Sequence, residues 1–223
     1  MDIKLLLQGI VKVLLGFIIV GLLLFVPAGT LEYYNAWLFM ELLFIPMVFV
    51  GFIMFFKNPD LFRSRLNAKE KEDDQKVIII LSGIMFIVGF IVAGLDYRFG
   101  WIQLPNIVVI ISSIIFIIAY LLYGEVLREN TYLSRTIEVK KDQKVIDTGL
   151  YGIVRHPMYA ITIILFLTMP LILGSIISFV IFLNYPFIIV ERIKTEEKVL
   201  EKELKGYKEY KKKVKYKLIP FIY

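Results

Sequence analysis

The stretch TGLYGIVRHPMY, residues 148–159, gathers the side chains of this sequence that are best suited to chemistry. It places the single histidine of the chain, His156, between an arginine and Pro157. Tyr151 and Tyr159 add aromatic rings with hydroxyls. Because proline is favoured at the first position of a helix, we expect a helix to begin at Pro157, and the N–H groups of its first turn favour negative charge. The stretch suits a ligand with a carboxylate and an aromatic ring, or simply the start of an interfacial helix anchored at headgroup depth.

A second pair of charged side chains follows beyond a long apolar block. Arg192 and Glu196 are four residues apart, which places them on one face of a helix. On their own they would form a weak surface ion pair. If the apolar block folds as a helical hairpin, however, this guanidinium and this carboxylate lie at the open end of the hairpin, close to His156.

The composition excludes several kinds of site. No cysteine is present, which removes disulfides, thiolate nucleophiles and zinc–thiolate centres. With one histidine and no carboxylate cluster of suitable spacing near it, we expect no metal. The G-x-x-x-x-G-K-[ST] and G-x-G-x-x-G nucleotide motifs are absent from the sequence. The net charge of +6 does not indicate a nucleic-acid partner, because the basic tail would lie beside a membrane, where anionic lipid headgroups are nearer.

The elements that must position these residues are membrane helices. The chain has 223 residues, of which 58% are hydrophobic, and its mean hydropathy is +0.74, far above that of a soluble domain. Runs of about 20 apolar residues are typical of membrane-spanning helices. The predicted spans are Leu5–Val26, Ala36–Phe56, Val77–Leu95 and Asn106–Leu127, followed by a longer apolar block, Met158–Val190. We therefore predict an all-α integral membrane protein, a multi-span helical bundle with about four spans and a C-terminal helical hairpin.

The last apolar block is too long for one span and too short for two full spans with a loop. The segment MPLILGS, residues 169–175, interrupts it with Pro170 and Gly174 and predicts a tight turn. Because the block is short, we do not expect this turn to reach the opposite membrane surface fully. The first apolar segment has no small-residue cleavage site and is followed by further spans, which predicts an anchor rather than a signal peptide.

The distribution of lysine and arginine predicts the orientation. The loop 57–76 carries six of them, the segment 128–156 another six, and the tail from Glu191 eleven, whereas the two opposite connections hold only Arg98. By the positive-inside rule, both termini are cytoplasmic. The same rule places the loop before His156 and the basic tail together on the cytoplasmic side.

The chain divides into two parts of different character. Residues 1–127 would form N-terminal transmembrane helices, and the first two spans with the loop after them offer no convergent polar groups. Glu41 is an ionisable exception, for which an interfacial structural role is favoured. Residues 128–223 would form the functional core: a polar cytoplasmic loop, the hairpin, and a cytoplasmic helix that ends near Gly206. The apolar ending YKLIPFIY suits a return to the membrane interface.

Three segments in this order resemble the isoprenylcysteine carboxyl methyltransferase family: TGLYGIVRHPMY, RIKTEEKVL and GYKEYKKKVKYKLIPFIY. Members of this family are small integral membrane enzymes that use S-adenosylmethionine. The resemblance covers roughly residues 130–223, and it is specific because G-x-Y-x-x-x-R-H-P-x-Y and R-x-x-x-E-E occur in order with membrane spacing between them. It implies that residues 128–223 are the methyltransferase core, with a cytoplasmic cofactor-binding loop and C-terminal helix.

The resemblance also implies the residues of the site. Arg192 matches the arginine that holds the carboxylate of the substrate and is the predicted catalytic residue. The cofactor would lie between the polar loop, the helix start and the glutamate after the hairpin. The predicted cofactor-binding residues are Gln143, Lys144, Val145, Ile146, Tyr151, His156, Pro157, Met158, Tyr159 and Glu196. The tail departs from that of the eukaryotic members, since ELKGYKEY is shorter than their segment, and this leaves the acceptor open.

Methyl transfer agrees with so sparse a set of residues. A sulfonium methyl group is already activated, so its transfer to a carboxylate needs positioning and desolvation more than acid–base groups. One arginine can orient such an acceptor through a bidentate contact. An amine acceptor would also have to be neutral, and no obvious base is present. The acceptors left open are the carboxylate of a prenylated cysteine, that of an isoprenoid acid, and the amine of a phospholipid, the last making the chain a phospholipid N-methyltransferase.

Two other classes of protein stay open. Sterol reductases have a similar C-terminal region that contains R-H and a comparable aromatic ending, and they bind NADPH. Their helix after the hairpin usually carries R-D-E and a cysteine, whereas this chain has RIKTEEK and no cysteine. The third class is a non-catalytic membrane protein that retains the fold.

Overall fold

All regular elements in the described part of the chain are helical. The computed structural model describes residues 3–66, 73–134 and 136–223. The helices are α1 (Ile3–Ala28), α2 (Tyr34–Lys57), α3 (Pro59–Leu66), α4 (Asp73–Phe99), α5 (Asn106–Glu129), α6 (Pro157–Ile172), α7 (Ile176–Phe182), α8 (Tyr185–Glu203) and α9 (Tyr207–Lys213), with a 3-10 turn at Gly149–Gly152 before α6. The predicted all-α class is confirmed.

The helices form an integral membrane bundle. Five segments are long and apolar enough to cross a membrane: α1, α2, α4, α5 and the segment formed by α7 and α8. The apolar helix α6 is shorter, at 16 residues. Because these six segments follow one another in alternating directions, both chain ends lie at the same end of the bundle. The predicted multi-span bundle is confirmed, and the cytoplasmic location of the chain ends stays a prediction.

The turn of the hairpin lies level with the connections at the opposite end of the bundle, so the expectation of a shallow turn is wrong. The Tyr33 hydroxyl donates to the carbonyl of Leu173 at 2.6 Å. The Leu104 N–H donates to the carbonyl of Gly174 at 3.3 Å, where a φ of +81° favours glycine. At 1.5 Å per residue, α6 covers about 24 Å, most of a hydrocarbon core that is about 30 Å thick.

The second arm of the hairpin consists of two helices. It is interrupted after Phe182 and resumes at Tyr185 with α8. Helix α8 then continues without a break from the apolar block to Glu203. The cytoplasmic helix predicted after the hairpin is therefore not a separate element but the end of α8, because its helical pattern joins that of the arm. Gly206 lies between α8 and α9, as its predicted place near a helix end requires.

One hydrophobic core joins the two predicted parts of the chain. It contains residues from Leu24 in α1 to Leu218 in the tail. Helices α4 and α7 approach closely, since the Ser178 hydroxyl donates to the carbonyl of Gly89 at 2.8 Å. A Cβ atom at Gly89 would lie 2.3 Å from the ring of Phe182. The N-terminal helices thus support the hairpin that carries the candidate site at its open end.

Candidate active site

A polar cleft of about 810 Å³ lies where α6 begins and α8 ends. Its walls come from the loop between α5 and α6, the first turn of α6, the last turns of α8, and α9. Of the predicted site residues, all except Pro157 line it: Gln143, Lys144, Val145, Ile146, Tyr151, His156, Met158, Tyr159, Arg192 and Glu196. Pro157 is buried at the first position of α6.

The segment before α6 is paired with the C-terminal tail. Helix α6 begins at Pro157, as predicted. The backbone N–H groups of Arg155 and His156 donate to the carbonyls of Tyr216 and Lys217, each at 2.9 Å. The tail therefore lies along the segment that starts α6. The sequence predicted only that the tail returns to the membrane interface and did not predict this contact.

Arg155 and Glu197 form a buried ion pair beside the cleft. The guanidinium Nε donates to the carboxylate Oε1 at 2.7 Å, and the two side chains are 6% and 7% exposed. The Nη1 of Arg155 also donates to the carbonyls of Val214 and Lys215, at 2.8 and 2.6 Å. Buried charges are costly unless they are paired and hydrogen-bonded. The pair thus fixes α8, the tail and the start of α6 relative to one another.

The imidazole of His156 lies between two carboxylates. Its Nε2 is 3.3 Å from Oε1 of Glu197, and its Nδ1 is 4.0 Å from Oε1 of Glu196. Because the carboxylate of Glu197 is paired with Arg155, it only accepts, and Nε2 carries a proton. The ring stacks on that of Tyr159, with 5.8 Å between the centroids. His156 therefore holds a proton towards Glu197 and orients the start of α6.

Tyr159 joins the two charged residues that the sequence places on one face of α8. Its hydroxyl donates to Oε2 of Glu196 at 2.5 Å and accepts from Nε of Arg192 at 2.9 Å. The Nη1 of Arg192 donates to Oε1 of Gln75, on α4, at 3.1 Å. A guanidinium held at Nε and at Nη1 has its plane fixed. Arg192 is therefore oriented by α6 and by α4.

The loop between α5 and α6 forms one wall of the cleft. The side-chain Oε1 of Gln143 accepts from the backbone N–H of Lys140 at 2.8 Å, which closes a turn. The next apolar residues, Val145 and Ile146, pack onto neighbouring elements. Val145 belongs to a cluster with Leu204, Tyr207, Tyr210 and Val214. The side chain of Gln143 thus shapes the loop, while Val145 and Ile146 give the cleft apolar surface.

The 3-10 turn before α6 depends on Gly149, whose φ is +50°. A Cβ atom at this position would lie 1.3 Å from Oε1 of Glu129, the last residue of α5. The Oε2 of Glu129 accepts from the backbone N–H of Leu150 at 3.1 Å. The glycine therefore leaves room for the carboxylate that holds the N–H of Leu150 in the turn.

Three tyrosines line the cleft at its α9 side: Tyr151, Tyr207 and Tyr210. Burial raises the pKa of all three hydroxyls above the ordinary tyrosine value, so they stay protonated. The Tyr210 hydroxyl donates to the carbonyl of Tyr151 at 2.7 Å. The buried Tyr207 hydroxyl has no hydrogen-bond partner among the described residues. It is therefore a donor that a ligand in the cleft could satisfy.

The sequence motifs assign no role to Glu197, Tyr207 or Tyr210. Glu197 follows the buried Ile193 by four residues, so the helical period places it on the inner face of α8. This spacing could have indicated that Glu197 is buried. The tyrosines are three residues apart in α9 and buried, a pattern that is also typical of ordinary packing.

The N-terminal part contributes polar groups, so the expectation that its first spans and the following loop offer none is wrong. Arg65, on α3, donates to the carbonyl of Ser134 at 3.3 Å. Gln75, on α4, contacts Arg192. Both contacts join distant parts of the chain, so no local pattern predicts them. Glu41 is exposed on α2 and does not face the bundle interior.

Fold and site together define an integral membrane protein with a polar cleft at one end of its helices. Among the described residues, no group of three or more His, Asp or Glu side chains could hold a metal ion. Residues 107–202 match the sequence model of the isoprenylcysteine carboxyl methyltransferase family. The match runs from α5 into α8, so it includes the motif around His156 and both Arg192 and Glu196. No curated protein matches the chain.

The match indicates a class of activity for the candidate site. The family is one of methyltransferases that act on prenylated substrates in membranes. The cleft is accordingly the candidate site of a membrane methyltransferase.

Proposed function

We propose that the chain transfers a methyl group from S-adenosylmethionine to the carboxylate of a lipid-like acceptor, either a prenylated cysteine or an isoprenoid acid. The observation that carries the proposal is the hydroxyl of Tyr159 between Arg192 and Glu196. It holds one cation and one carboxylate at the same edge of the cleft. The cation suits the carboxylate of an acceptor, and the carboxylate suits the ammonium group or ribose hydroxyls of the cofactor.

The cleft offers groups that suit S-adenosylmethionine. Val145, Ile146 and Leu200 give apolar surface, Glu196 gives an acceptor, and the unpaired hydroxyl of Tyr207 gives a donor. These residues would hold the cofactor together with the other predicted residues of the cleft. When bound, S-adenosylmethionine would supply a methyl group on a positively charged sulfur, which a carboxylate oxygen takes up without proton transfer.

The residues of the chain would position the acceptor and exclude water. Arg192 would orient the acceptor carboxylate, and Tyr159 would keep the guanidinium plane in place. The Nε2 proton of His156 is directed to Glu197, so this nitrogen is not a base for an acceptor. The cation of Arg192 suits a carboxylate acceptor, whereas a phospholipid amine would also have to lose a proton before it can react.

Isothermal titration of the purified protein with S-adenosylhomocysteine and with NADPH tests the cofactor. We expect S-adenosylhomocysteine to bind and NADPH not to bind. Glu196→Gln should weaken binding more than tenfold, which is about 1.4 kcal/mol. Glu191→Gln is the matched control on the same helix, because Glu191 is exposed and paired with Lys194. Binding of NADPH alone would favour a membrane reductase, and binding of neither ligand a non-catalytic protein.

Methyl transfer is tested with labelled S-adenosylmethionine and three acceptors: N-acetyl-S-farnesylcysteine, farnesoic acid and phosphatidylethanolamine. A methyl ester releases volatile methanol in base, whereas an N-methyl group does not. We expect base-labile label on at least one of the two acids. Label that is stable in base and found only on phosphatidylethanolamine would overturn the carboxylate assignment.

A further inference from the structure

Gln75 is a fully buried polar residue at the start of α4, with 0% exposure. Its Oε1 lies 3.1 Å from Nη1 of Arg192. A guanidinium can only donate, so the atom that faces it must be the amide oxygen, and Nε2 is therefore the other end of the amide. This Nε2 is buried and has no hydrogen-bond acceptor among the described residues.

A buried amide nitrogen without an acceptor is unusual in a folded protein. Buried polar groups nearly always have a partner, and the exceptions call for a specific explanation, such as a ligand that completes the site. The position of Gln75 supports a ligand, since its oxygen holds Arg192, the residue proposed to bind the acceptor. Gln75 also lies outside residues 107–202, the part that matches the methyltransferase family.

We propose that Gln75 is a second binding group for the carboxylate of the acceptor, with its Nε2 donating to one carboxylate oxygen while its Oε1 keeps Arg192 in place. This inference rests on the proposed function. It places the acceptor's head against α4 as well as against α6 and α8, so the N-terminal part of the chain completes the acceptor site.

The chemistry of the two side chains selects the acceptor. The Gln75 Nε2 and the guanidinium of Arg192 are both donors only. A carboxylate has lone pairs and a negative charge and satisfies both, whereas an ammonium headgroup would bring further donors and a like charge. A methyl ester retains lone pairs but loses the charge, so the pair binds the acid more tightly than the methylated product.

Three variants distinguish a role of Gln75 in acceptor binding from a purely structural role. Gln75→Glu retains an acceptor for Arg192, removes the amide donor and adds a negative charge. We expect it to raise the KM for N-acetyl-S-farnesylcysteine at least thirtyfold, while the affinity for S-adenosylhomocysteine stays within threefold. Gln75→Met retains the length of the side chain without its polar atoms and should raise the same KM at least tenfold. Gln103→Glu makes the same chemical change in an exposed connection at the far end of the bundle and should leave both values unchanged.

A binding measurement without turnover makes the test independent of rate. With S-adenosylhomocysteine present, the wild-type protein should bind N-acetyl-S-farnesylcysteine at least tenfold more tightly than its carboxamide. Gln75→Glu should abolish this preference. Retention of both the preference and the KM in Gln75→Glu would show that the amide donor is not used, because this variant has no donor at that position and adds a charge that opposes the acceptor.

The outcomes separate this inference from the proposed function. Wild-type methylation of the acid, together with a wild-type KM and preference in Gln75→Glu, would overturn the role of Gln75 and leave the proposed function intact. A wild-type protein that binds S-adenosylhomocysteine but methylates no carboxylic acid would overturn both. Should Gln75→Glu fail to bind S-adenosylhomocysteine, Gln75→Met decides by the same measurements.

Discussion

The carboxylate of Glu197 lies 2.7 Å from the guanidinium Nε of Arg155, and this buried pair joins α8 to the segment that starts α6. The neighbouring Glu196 is different. Its side chain is 22% exposed, lines the cleft and accepts from the hydroxyl of Tyr159. Two adjacent glutamates thus face different surroundings, one inside the protein and the other in the candidate site.

Glu197→Gln should lower the stability of the protein strongly. The substitution removes the negative charge from a pair that is almost fully buried and leaves the charge of Arg155 without compensation. Breaking such a pair typically costs roughly 3–5 kcal/mol. Thermal unfolding in detergent should therefore show a clearly lower Tm for Glu197→Gln. Glu196→Gln is the matched control, because it makes the same change one residue away at a partly exposed position and should leave the Tm nearly unchanged. Equal Tm values for the two variants would contradict a structural role for the pair.

Tyr159→Phe should impair the site without unfolding it. Phenylalanine retains the ring but removes the hydroxyl that joins Arg192 and Glu196. We expect kcat/KM for the best acceptor to fall at least tenfold, or about 1.4 kcal/mol, because both charged groups lose a fixed partner. Tyr97→Phe is the control, since the Tyr97 hydroxyl donates to the carbonyl of Glu32 at the far end of the bundle. A wild-type kcat/KM in Tyr159→Phe would argue against the bridge.

Gly149→Ala should destabilise the 3-10 turn and weaken cofactor binding. A positive φ costs a residue with a side chain roughly 1–2 kcal/mol, and the new Cβ atom would displace the carboxylate of Glu129. The loss of its hydrogen bond to the N–H of Leu150 adds about 1 kcal/mol. Both the Tm and the affinity for S-adenosylhomocysteine should therefore fall. Gly124→Ala, in α5, has no neighbouring atom within 4 Å of the new Cβ. It should leave both the Tm and the affinity for S-adenosylhomocysteine unchanged.

The sequence predicted the membrane helices well because span length and apolar composition are local properties. It also predicted that α6 begins at Pro157, since proline at a first helical position has a local cause. The prediction that the hairpin turn is shallow was wrong. Its position is set by contacts with Tyr33 and Leu104, in connections far away in the chain. Helix lengths alone do not reveal such contacts.

The site residues that belong to a sequence motif could be predicted. The residues that reach the site from distant segments of the chain could not. The predicted residues of the loop, α6 and α8 do surround one cleft, apart from Pro157. Their roles in cofactor and acceptor binding stay predictions. Gln75 was not foreseen because it contacts Arg192 across a separation of 117 residues. A polar residue near the start of a membrane helix resembles an ordinary interfacial one until the partner is seen.

The orientation in the membrane can be tested with single cysteines, because the chain has none of its own. Lys208 is exposed on α9, and Gln103 is exposed in a connection at the opposite end of the bundle. The positive-inside rule predicts that an impermeant maleimide labels Gln103→Cys in intact cells. Lys208→Cys should be labelled only after permeabilisation. The reverse pattern would overturn the predicted orientation and place the cleft away from cytosolic S-adenosylmethionine.

Arg192→Lys should separate cofactor binding from methyl transfer. The guanidinium contacts the Tyr159 hydroxyl through Nε and the Gln75 oxygen through Nη1, so its plane is set by two partners in different directions. Lysine retains the charge but has a single nitrogen and no planar fork, so it cannot reproduce this geometry. We expect the affinity for S-adenosylhomocysteine to stay within about threefold, because Glu196 and the loop are unchanged. The kcat/KM should fall at least about a hundredfold, or roughly 2.7 kcal/mol of transition-state stabilisation.

The measurement uses whichever acid of the acceptor panel is turned over fastest. Steady-state kinetics of Arg192→Lys are compared with those of Lys194→Arg, a control on the exposed side of α8, where Lys194 pairs with Glu191. The control should match the wild-type protein, because its substitution lies away from the cleft. If Arg192→Lys methylates the acid at the wild-type rate, a fixed guanidinium is not needed to hold the carboxylate. The acceptor would then be bound by other donors, or it would be an amine that needs no arginine.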